Sequence, residues 1–338
     1  MKILVTGASG FIGGYLVPEL LAAGHDVVGI DDFSKYGPVR KAHDDHPRYR
    51  LVTGDCKDTA LMRTLAADCD HLVAGAAMIG GIAYFHARAY DLLAENERIL
   101  ASTFDAAIEA FRRGRLRKVT VLSSSMVYES TGEYPTPEGA ERRCAPPRST
   151  YGFQKLACEY FAQGALEQYG LPYTIARPFN CVGVGERQAR WAGAPEGNAR
   201  LAMSHVVPDL IEKAVKGQDP LHVLGRGDQV RHYTYGGDLA RGLRLCVEHP
   251  AAENQDFNLS TAQGHTVLEV AEAIWRRVRP GEPFRFVSDD PFPYDVQRRV
   301  PSVAKARELL GFEATTGLEA ILDEVVPWVI AEVRRRAP

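Results

Sequence analysis

Short apolar runs recur along the chain, separated by longer stretches in which apolar residues return every three or four positions. The runs at Lys2–Thr6, Asp26–Ile30, Tyr49–Thr53, Asp70–Ala74, Lys118–Ser123, Tyr173–Arg177 and Asp256–Leu259 read as strands. The stretches at 11–23, 91–113, 151–169, 204–217, 236–248, 266–279 and 317–335 read as helices, with Gly170 ending the one at 151–169. Strands that alternate with helices and are apolar on both sides predict an α/β fold, a Rossmann-type doubly wound parallel sheet covered on both faces. Pro18 falls inside the first helix, removes one backbone hydrogen bond and should bend the axis. After Cys181 the pattern loosens. Residues 181–203, rich in Gly, Ala, Arg and Pro, read as a loop, and 280–301 carries Pro280, Pro283, Pro291, Pro293 and Pro301. The expected division is a first domain of 1–180 plus about 233–260, and a smaller α/β domain from about 181–232 and 261–338.

The first strand runs directly into Gly7-Ala8-Ser9-Gly10-Phe11-Ile12-Gly13. Glycines at a strand-to-helix turn let backbone N–H groups and the helix N-terminus close on a dinucleotide pyrophosphate. A tight turn in any α/β protein can use glycine, so the pattern gains its meaning from the second strand, which ends in Asp31-Asp32 at the distance ribose recognition requires. A carboxylate at Asp31 accepts both adenosine ribose hydroxyls and repels a 2'-phosphate, which favours NAD over NADP. Arg40 and Lys41, close by in sequence, pull against that preference.

Composition narrows the setting. At 338 residues the chain is long enough for a nucleotide-binding domain and a smaller partner, and a net charge of −3 with scattered basic residues gives no case for nucleic acid or an acidic membrane surface. The six cysteines form no C-x-x-C pair, which argues against structural zinc or a disulfide framework and for reduced thiols in a cytoplasmic protein. No apolar run approaches the roughly 18 residues of a membrane span, and the start of the chain leads straight into strand one without a leader pattern.

The candidate chemistry lies beyond the fifth strand. Ser123-Ser124-Ser125 stands at its end, and Tyr151-Gly152-Phe153-Gln154-Lys155 opens a helix, so Tyr151 and Lys155 lie one turn apart on one face. Isolated, such a pair is an ordinary surface ridge. At the carboxyl edge of a dinucleotide-binding sheet it becomes a proton-handling pair, in which an ammonium favours phenolate and draws the tyrosine pKa from about 10 toward neutrality.

Thr6-Gly7-x-x-Gly10-x-x-Gly13, Asp31, Gly54-Asp55, Asn96, Ser124, Tyr151/Lys155 and Arg177-Pro178-Phe179-Asn180-Cys181-Val182-Gly183 together resemble the extended short-chain dehydrogenase/reductases that act on nucleotide sugars, over nearly all of the chain. The resemblance implies that Ser124, Tyr151 and Lys155 are the catalytic residues, that Asp55 and Cys56 flank the adenine, and that Asn96 supports the active-site helix. It extends the cofactor site to Phe11, Ile12, Asp32, Ala76, Ala77 and Pro178. It puts Asn180 and Arg231 on the nucleotide diphosphate, with Arg298 as a further candidate, and Gly81, Ser125, Met126 and Val207 along the substrate. For Arg231 the residue type agrees, since a guanidinium fork suits two phosphate oxygens, with a structural salt bridge as its alternative role. The usual Arg before a Gly-Asp step is missing, and Phe292-Pro293-Tyr294-Asp295 stands there. A homodimer through the helices near 91–113 and 151–169 is expected on the same resemblance.

Members of that family oxidise a sugar carbon and differ in the fate of the resulting ketone. The acidic residues that usually come directly after the catalytic Ser/Thr in 4,6-dehydratases are replaced by Ser125 and Met126, and the cysteine of GDP-sugar 3,5-epimerases is replaced by Met126. Ala76–Ala83 and Ser204–Pro208 resemble GDP-fucose synthase and the GDP-mannose 3,5-epimerases, and in the fucose synthase a histidine matching His205 handles protons. The expectation is an NAD-dependent nucleotide-sugar epimerase inverting C4 through a transient 4-keto sugar, with Gly80 and Gly81 leaving room for the sugar to turn. The alternatives are a 3,5-epimerase or a 4-dehydrogenase/dehydratase using His205, and an NAD-binding scaffold without activity.

Overall fold

The computed structural model describes residues 1–187, 205–291 and 296–336. Most of the 181–203 stretch and Phe292–Asp295 therefore lie outside the described residues. In chain order the elements are β1 (Lys2–Thr6), α1 (Phe11–Ala22), β2 (Asp26–Asp31), β3 (Tyr49–Thr53), α2 (Thr59–Ala66), β4 (His71–Ala74), α3 (Ile82–Ala87), α4 (Ala89–Arg112), β5 (Lys118–Leu122), α5 (Thr150–Tyr169), β6 (Tyr173–Pro178) and β7 (Cys181–Val182). Then come α6 (Val206–Val215), β8 (Leu221–Leu224), β9 (Val230–Arg231), β10 (Thr234–Tyr235), α7 (Gly236–Glu248), β11 (Gln255–Leu259), β12 (His265–Thr266), α8 (Val267–Val278), β13 (Phe286–Asp289), α9 (Ala304–Leu310) and α10 (Leu318–Arg336).

Seven strands form one parallel sheet in the order β11-β6-β5-β4-β1-β2-β3. These are the seven runs read from the sequence, within a residue or two at their ends. Successive strand residues point to opposite faces, and both faces are buried. Leu4, Val28, Leu72 and Val119 pack with Met62, Phe104 and Ala162 from α2, α4 and α5. Ile3, Val5, Val27 and Phe257 pack on the other face with Leu16, Leu243 and Leu310 from α1, α7 and α9. Each such side chain contributes about 1.5–3 kcal/mol by leaving water, which is why the strands carry no polar alternation. The chain reverses its winding between β1 and β4, and the crevice at their carboxyl ends is where an open α/β sheet receives a ligand.

A separate core joins α6, α8 and α10, with Leu210, Ile211, Val270, Trp275, Ile321 and Val325 buried against Leu221 and Val223 of β8. Around it stand three two-stranded sheets, β7 with β10, β9 with β12 and β8 with β13. The helices α2, α3 and α9 give no periodic signal in the sequence, because six to eight residues hold too few repeats to register. Pro18 sits within α1 and the helix continues through it to Ala22. Among the described residues no helix is long and apolar enough to cross a membrane.

Candidate active site

One cavity of about 830 Å³ opens along the carboxyl edge of the sheet and runs on to α6, β8 and β9. Its first end is the glycine turn. Gly7 has φ of +72°, and a Cβ there would meet the Ala76 backbone at 3.0 Å. A Cβ on Gly13 would lie 2.5 Å from the carbonyl oxygens of Gly7 and Ala8. Only glycine lets α1 start this close to β1, so its first N–H groups face the cavity, a cradle that fits a dinucleotide pyrophosphate. Thr6 Oγ1 ties β1 to the loop after β4 by accepting from the Gly75 and Ala76 amides, each at 3.0 Å.

Asp31 ends β2 with its carboxylate fixed, Oδ2 accepting from Ser9 N at 2.9 Å and Oδ1 from Phe33 N at 2.8 Å. Burial raises its pKa and the two amides pull it back. Each oxygen keeps a lone pair for a ribose hydroxyl, which suits the cofactor expected from the sequence. Asp32 turns outward to accept from Ser34 and still borders the cavity, as do Asp55 and Cys56. Burial pushes the Cys56 thiol up to about 12, so it stays protonated. Arg40 pairs with Asp45 on the surface, and neither it nor Lys41 lines the cavity. Lys35 does line it, and burial draws its ammonium down to about 8 against the opposing effect of Glu186 and Asp31.

Ser124 lies just beyond β5, where its Oγ accepts from Met126 N at 3.2 Å and starts a single turn over Ser125–Tyr128. Ser149 caps α5 through Gly152 N and is itself held by Glu129. That cap fixes the first turn of α5, so Tyr151 and Lys155 both enter the cavity wall, nearly buried. Lys155 Nζ donates to the Leu122 carbonyl at 2.9 Å. The Tyr151 ring stacks on Phe85 of α3, with centroids 4.3 Å apart and planes 10° apart. The cavity thus gathers Ser124, Tyr151 and Lys155 beside the glycine cradle. Phe11, Ile12, Ala76, Ala77, Pro178, Ser125, Met126, Asn180, Val207, Arg231 and His205 line it too.

Three candidates stand elsewhere. Asn96 lies behind the wall and clamps Met78, accepting from its N–H at 2.6 Å and donating to its C=O at 3.0 Å, so it shapes the cavity without lining it. Gly81 is the residue before α3, and the room Gly80 leaves is taken by Tyr84, whose ring a Cβ would meet at 2.6 Å. Arg298 sits over the Tyr134 ring, 5.0 Å from its centroid, and Arg299 lines the cavity instead. The exchange follows from alternation, because Arg298 bridges to Val230 in extended chain and its neighbour faces the other way.

His205 precedes α6, half-exposed, with Nδ1 paired to Glu186. Glu186 is buried and its Oε2 has no hydrogen-bond partner among the described residues. Arg231 is buried, with Nη1 donating to the carbonyls of Val230 and Gln297 at 3.0 and 3.2 Å. Sequence reasoning missed Asp209, Lys213 and His222, which also line the cavity. The four-residue spacing of Asp209 and Lys213 marks a helical pair, but no local signal points it at a ligand.

The family model described as NAD dependent epimerase/dehydratase family matches residues 3–260. The chain is 27% identical over 345 residues to UDP-glucuronic acid decarboxylase 1 of Xenopus tropicalis, covering 99% of this chain and 74% of that protein. It is 27% identical over 347 residues to UDP-glucose 4-epimerase of Lacticaseibacillus casei, covering 97% and 96%. The crystal structure of UDP-glucose 4-epimerase from Thermotoga maritima with UDP-glucose superposes with a TM-score of 0.80 at 24% identity, over 98% of this chain and 100% of that one.

Proposed function

The chain belongs to the NAD dependent epimerase/dehydratase family, and on that premise we propose that it is a nucleotide-sugar epimerase inverting C4 through a transient 4-keto sugar. The observation that carries the reading is the convergence of Tyr151, Lys155 and Ser124 on the cavity that begins at the glycine cradle. NAD held there supplies the acceptor, and later the donor, of the C4 hydride. The protein's share is placement and proton handling. The Tyr151 oxygen takes the C4 hydroxyl proton while the Ser124 hydroxyl shares that oxygen, and Lys155 holds the ammonium charge one turn away. After the keto sugar turns to present its other face to the returning hydride, Tyr151 gives the proton back to the same C4 oxygen. The second core around α6, α8 and α10 supports assigning 181–232 and 261–338 to the nucleotide-sugar end. Exposed Tyr90 on α4 and Phe153, Tyr160 and Tyr169 on α5 support a two-fold contact through those helices.

A second reading rests on His205. Glu186 holds its Nδ1, which leaves Nε2 as the imidazole nitrogen that can exchange a proton with a sugar carbon next to the ketone. The test is incubation of the NAD-loaded protein with UDP-, GDP-, CDP- and dTDP-linked hexoses, hexuronic acids and heptoses, read by mass and NMR. C4 inversion without solvent deuterium at C3 or C5 is the expected result. Deuterium at C3 or C5 in D2O establishes the His205 reading, loss of CO2 from a uronate replaces inversion with decarboxylation, and no change in any substrate ends the proposal.

A further inference from the structure

Beyond Arg231 the cavity wall is formed by α6 and β8, and its polar groups are few and specific. Asp209 and Lys213 lie one turn apart on α6 with side chains 12% and 7% exposed, and Asp209 Oδ2 is 2.8 Å from Lys213 Nζ. Lys213 Nζ also donates to the His222 carbonyl at 3.1 Å, which uses two of its three N–H donors. Asp209 Oδ1 takes no hydrogen bond from any described residue, and Asp209 lines the cavity. Burial raises the Asp209 pKa to about 6 even with Lys213 beside it. An ion pair inside a helix needs no cavity, and one whose second oxygen is left open at a cavity wall is complementary to a ligand N–H.

A carboxylate next to an ammonium reads a ligand edge that presents an acceptor followed by donors. Guanine has that edge, with O6 as acceptor and N1–H and N2–H2 as adjacent donors. Uracil and thymine present acceptor, donor, acceptor, and their second carbonyl would face a carboxylate oxygen. Cytosine and adenine offer a single amino donor to the carboxylate and a ring acceptor to the ammonium, one contact fewer than guanine. Val223 and Leu224 on β8 supply apolar surface beside this pair. His222, whose ring Nδ1 is 2.8 Å from Asp289 Oδ1, is a further residue of the cavity lining.

We propose that the cavity end at Asp209, Lys213 and His222 binds guanine, so that the substrate is a GDP-linked sugar. The proposal rests on the nucleotide-sugar reading of the same cavity. In it the Lys213 ammonium donates to O6 and the Asp209 carboxylate accepts from N1–H and N2–H2, a bidentate contact of the kind that discriminates bases by tenfold or more.

The test is calorimetric titration of the full NAD-loaded chain with GDP, UDP, CDP, dTDP and ADP. GDP is expected to bind about tenfold more tightly than UDP. Asp209→Asn is expected to weaken GDP by a similar factor and leave UDP within about twofold. Binding of UDP or another nucleotide as tightly as GDP overturns the proposal, and so does an Asp209→Asn protein that keeps the GDP preference. Should that variant not fold, the ranking of nucleotides by the unaltered protein decides alone. Failure of every nucleoside diphosphate to bind overturns the nucleotide-sugar reading as well, which separates the two outcomes.

Discussion

The two walls of the cavity are built on opposite plans. The wall that carries Ser124, Tyr151 and Lys155 is backed by a dense, largely buried polar network. Arg177 forks onto Glu159 at 2.8 and 2.7 Å, reaches Asp256 at 2.6 Å and the Tyr128 hydroxyl at 2.7 Å, and Ser123 donates to Glu159 at 2.5 Å. Tyr128 continues to Asn258, which also bonds the carbonyls of Thr136 and Ser302. The wall formed by α6 and β8 has an apolar backing and separate pairs in place of a network, among them Asp209 with Lys213 and His222 with Asp289. The contrast matches what the proposed reaction and the proposed base site ask of each wall. Proton transfer needs donor and acceptor held to a fraction of an ångström, which a network that fixes the end of β5 from behind provides. Recognition of a flat ligand needs apolar surface and a few charges in the right order.

The largest effect should come from the first wall. Tyr151→Phe keeps the ring stacked on Phe85 and removes only the hydroxyl, so kcat on the nucleotide sugar should fall about 10²–10⁴-fold, while nucleotide affinity measured by calorimetry stays unchanged. Retained activity would remove Tyr151 from the chemistry.

Next comes the network behind it. Arg177→Met leaves buried Glu159 charged without its guanidinium, while Asp256 keeps Lys305 at 2.7 Å, and chemical denaturation should show a loss of about 3–5 kcal/mol. A loss below about 1 kcal/mol, the range of a surface pair, would erase the contrast between the walls.

The smallest effect is expected from pH at the second wall. Asp209 faces Lys213, Glu212 and Lys216 on its own helix and the His222 and Asp289 pair beyond Lys213. Its raised folded pKa means that it gains a proton as pH falls through about 6, and a protonated carboxyl no longer accepts from two N–H groups. The GDP to UDP affinity ratio should therefore drop severalfold between pH 7 and pH 5, on the order of the bidentate contact. Taking the ratio cancels titration of the phosphates common to both ligands. By linkage the same shift makes ionised Asp209 a cost to the fold, present above about pH 6 and relieved as pH falls.

Much of the first wall could be read along the chain. The strand runs, Gly7 and Gly13, Asp31 and the Tyr151/Lys155 spacing are all set by contacts within one turn or one strand. Periodicity and the size of a missing Cβ report such contacts directly. Arg177 stood in the sequence as part of a motif, and Asn258 lay within the strand run Asp256–Leu259. Nothing local indicated that they meet, because β6 and β11 bring them together across the sheet edge. Arg298 stands one residue from the cavity lining, since alternation tells which residues share a face and not which face meets the cavity. Asn96 was legible as important but not as a clamp on Met78, eighteen positions away.

The sequence by itself determined the sheet, the cofactor cradle and the helix pair able to move a proton, because each depends on sterics and spacing over a few residues. The tertiary structure alone decided what else lines the cavity: Phe85 beneath Tyr151, Arg299 in place of Arg298, and Asp209 with Lys213. Those arrangements arise where separate elements pack against one another. Burial and charge there depend on partners tens to hundreds of residues away, and no local pattern encodes them.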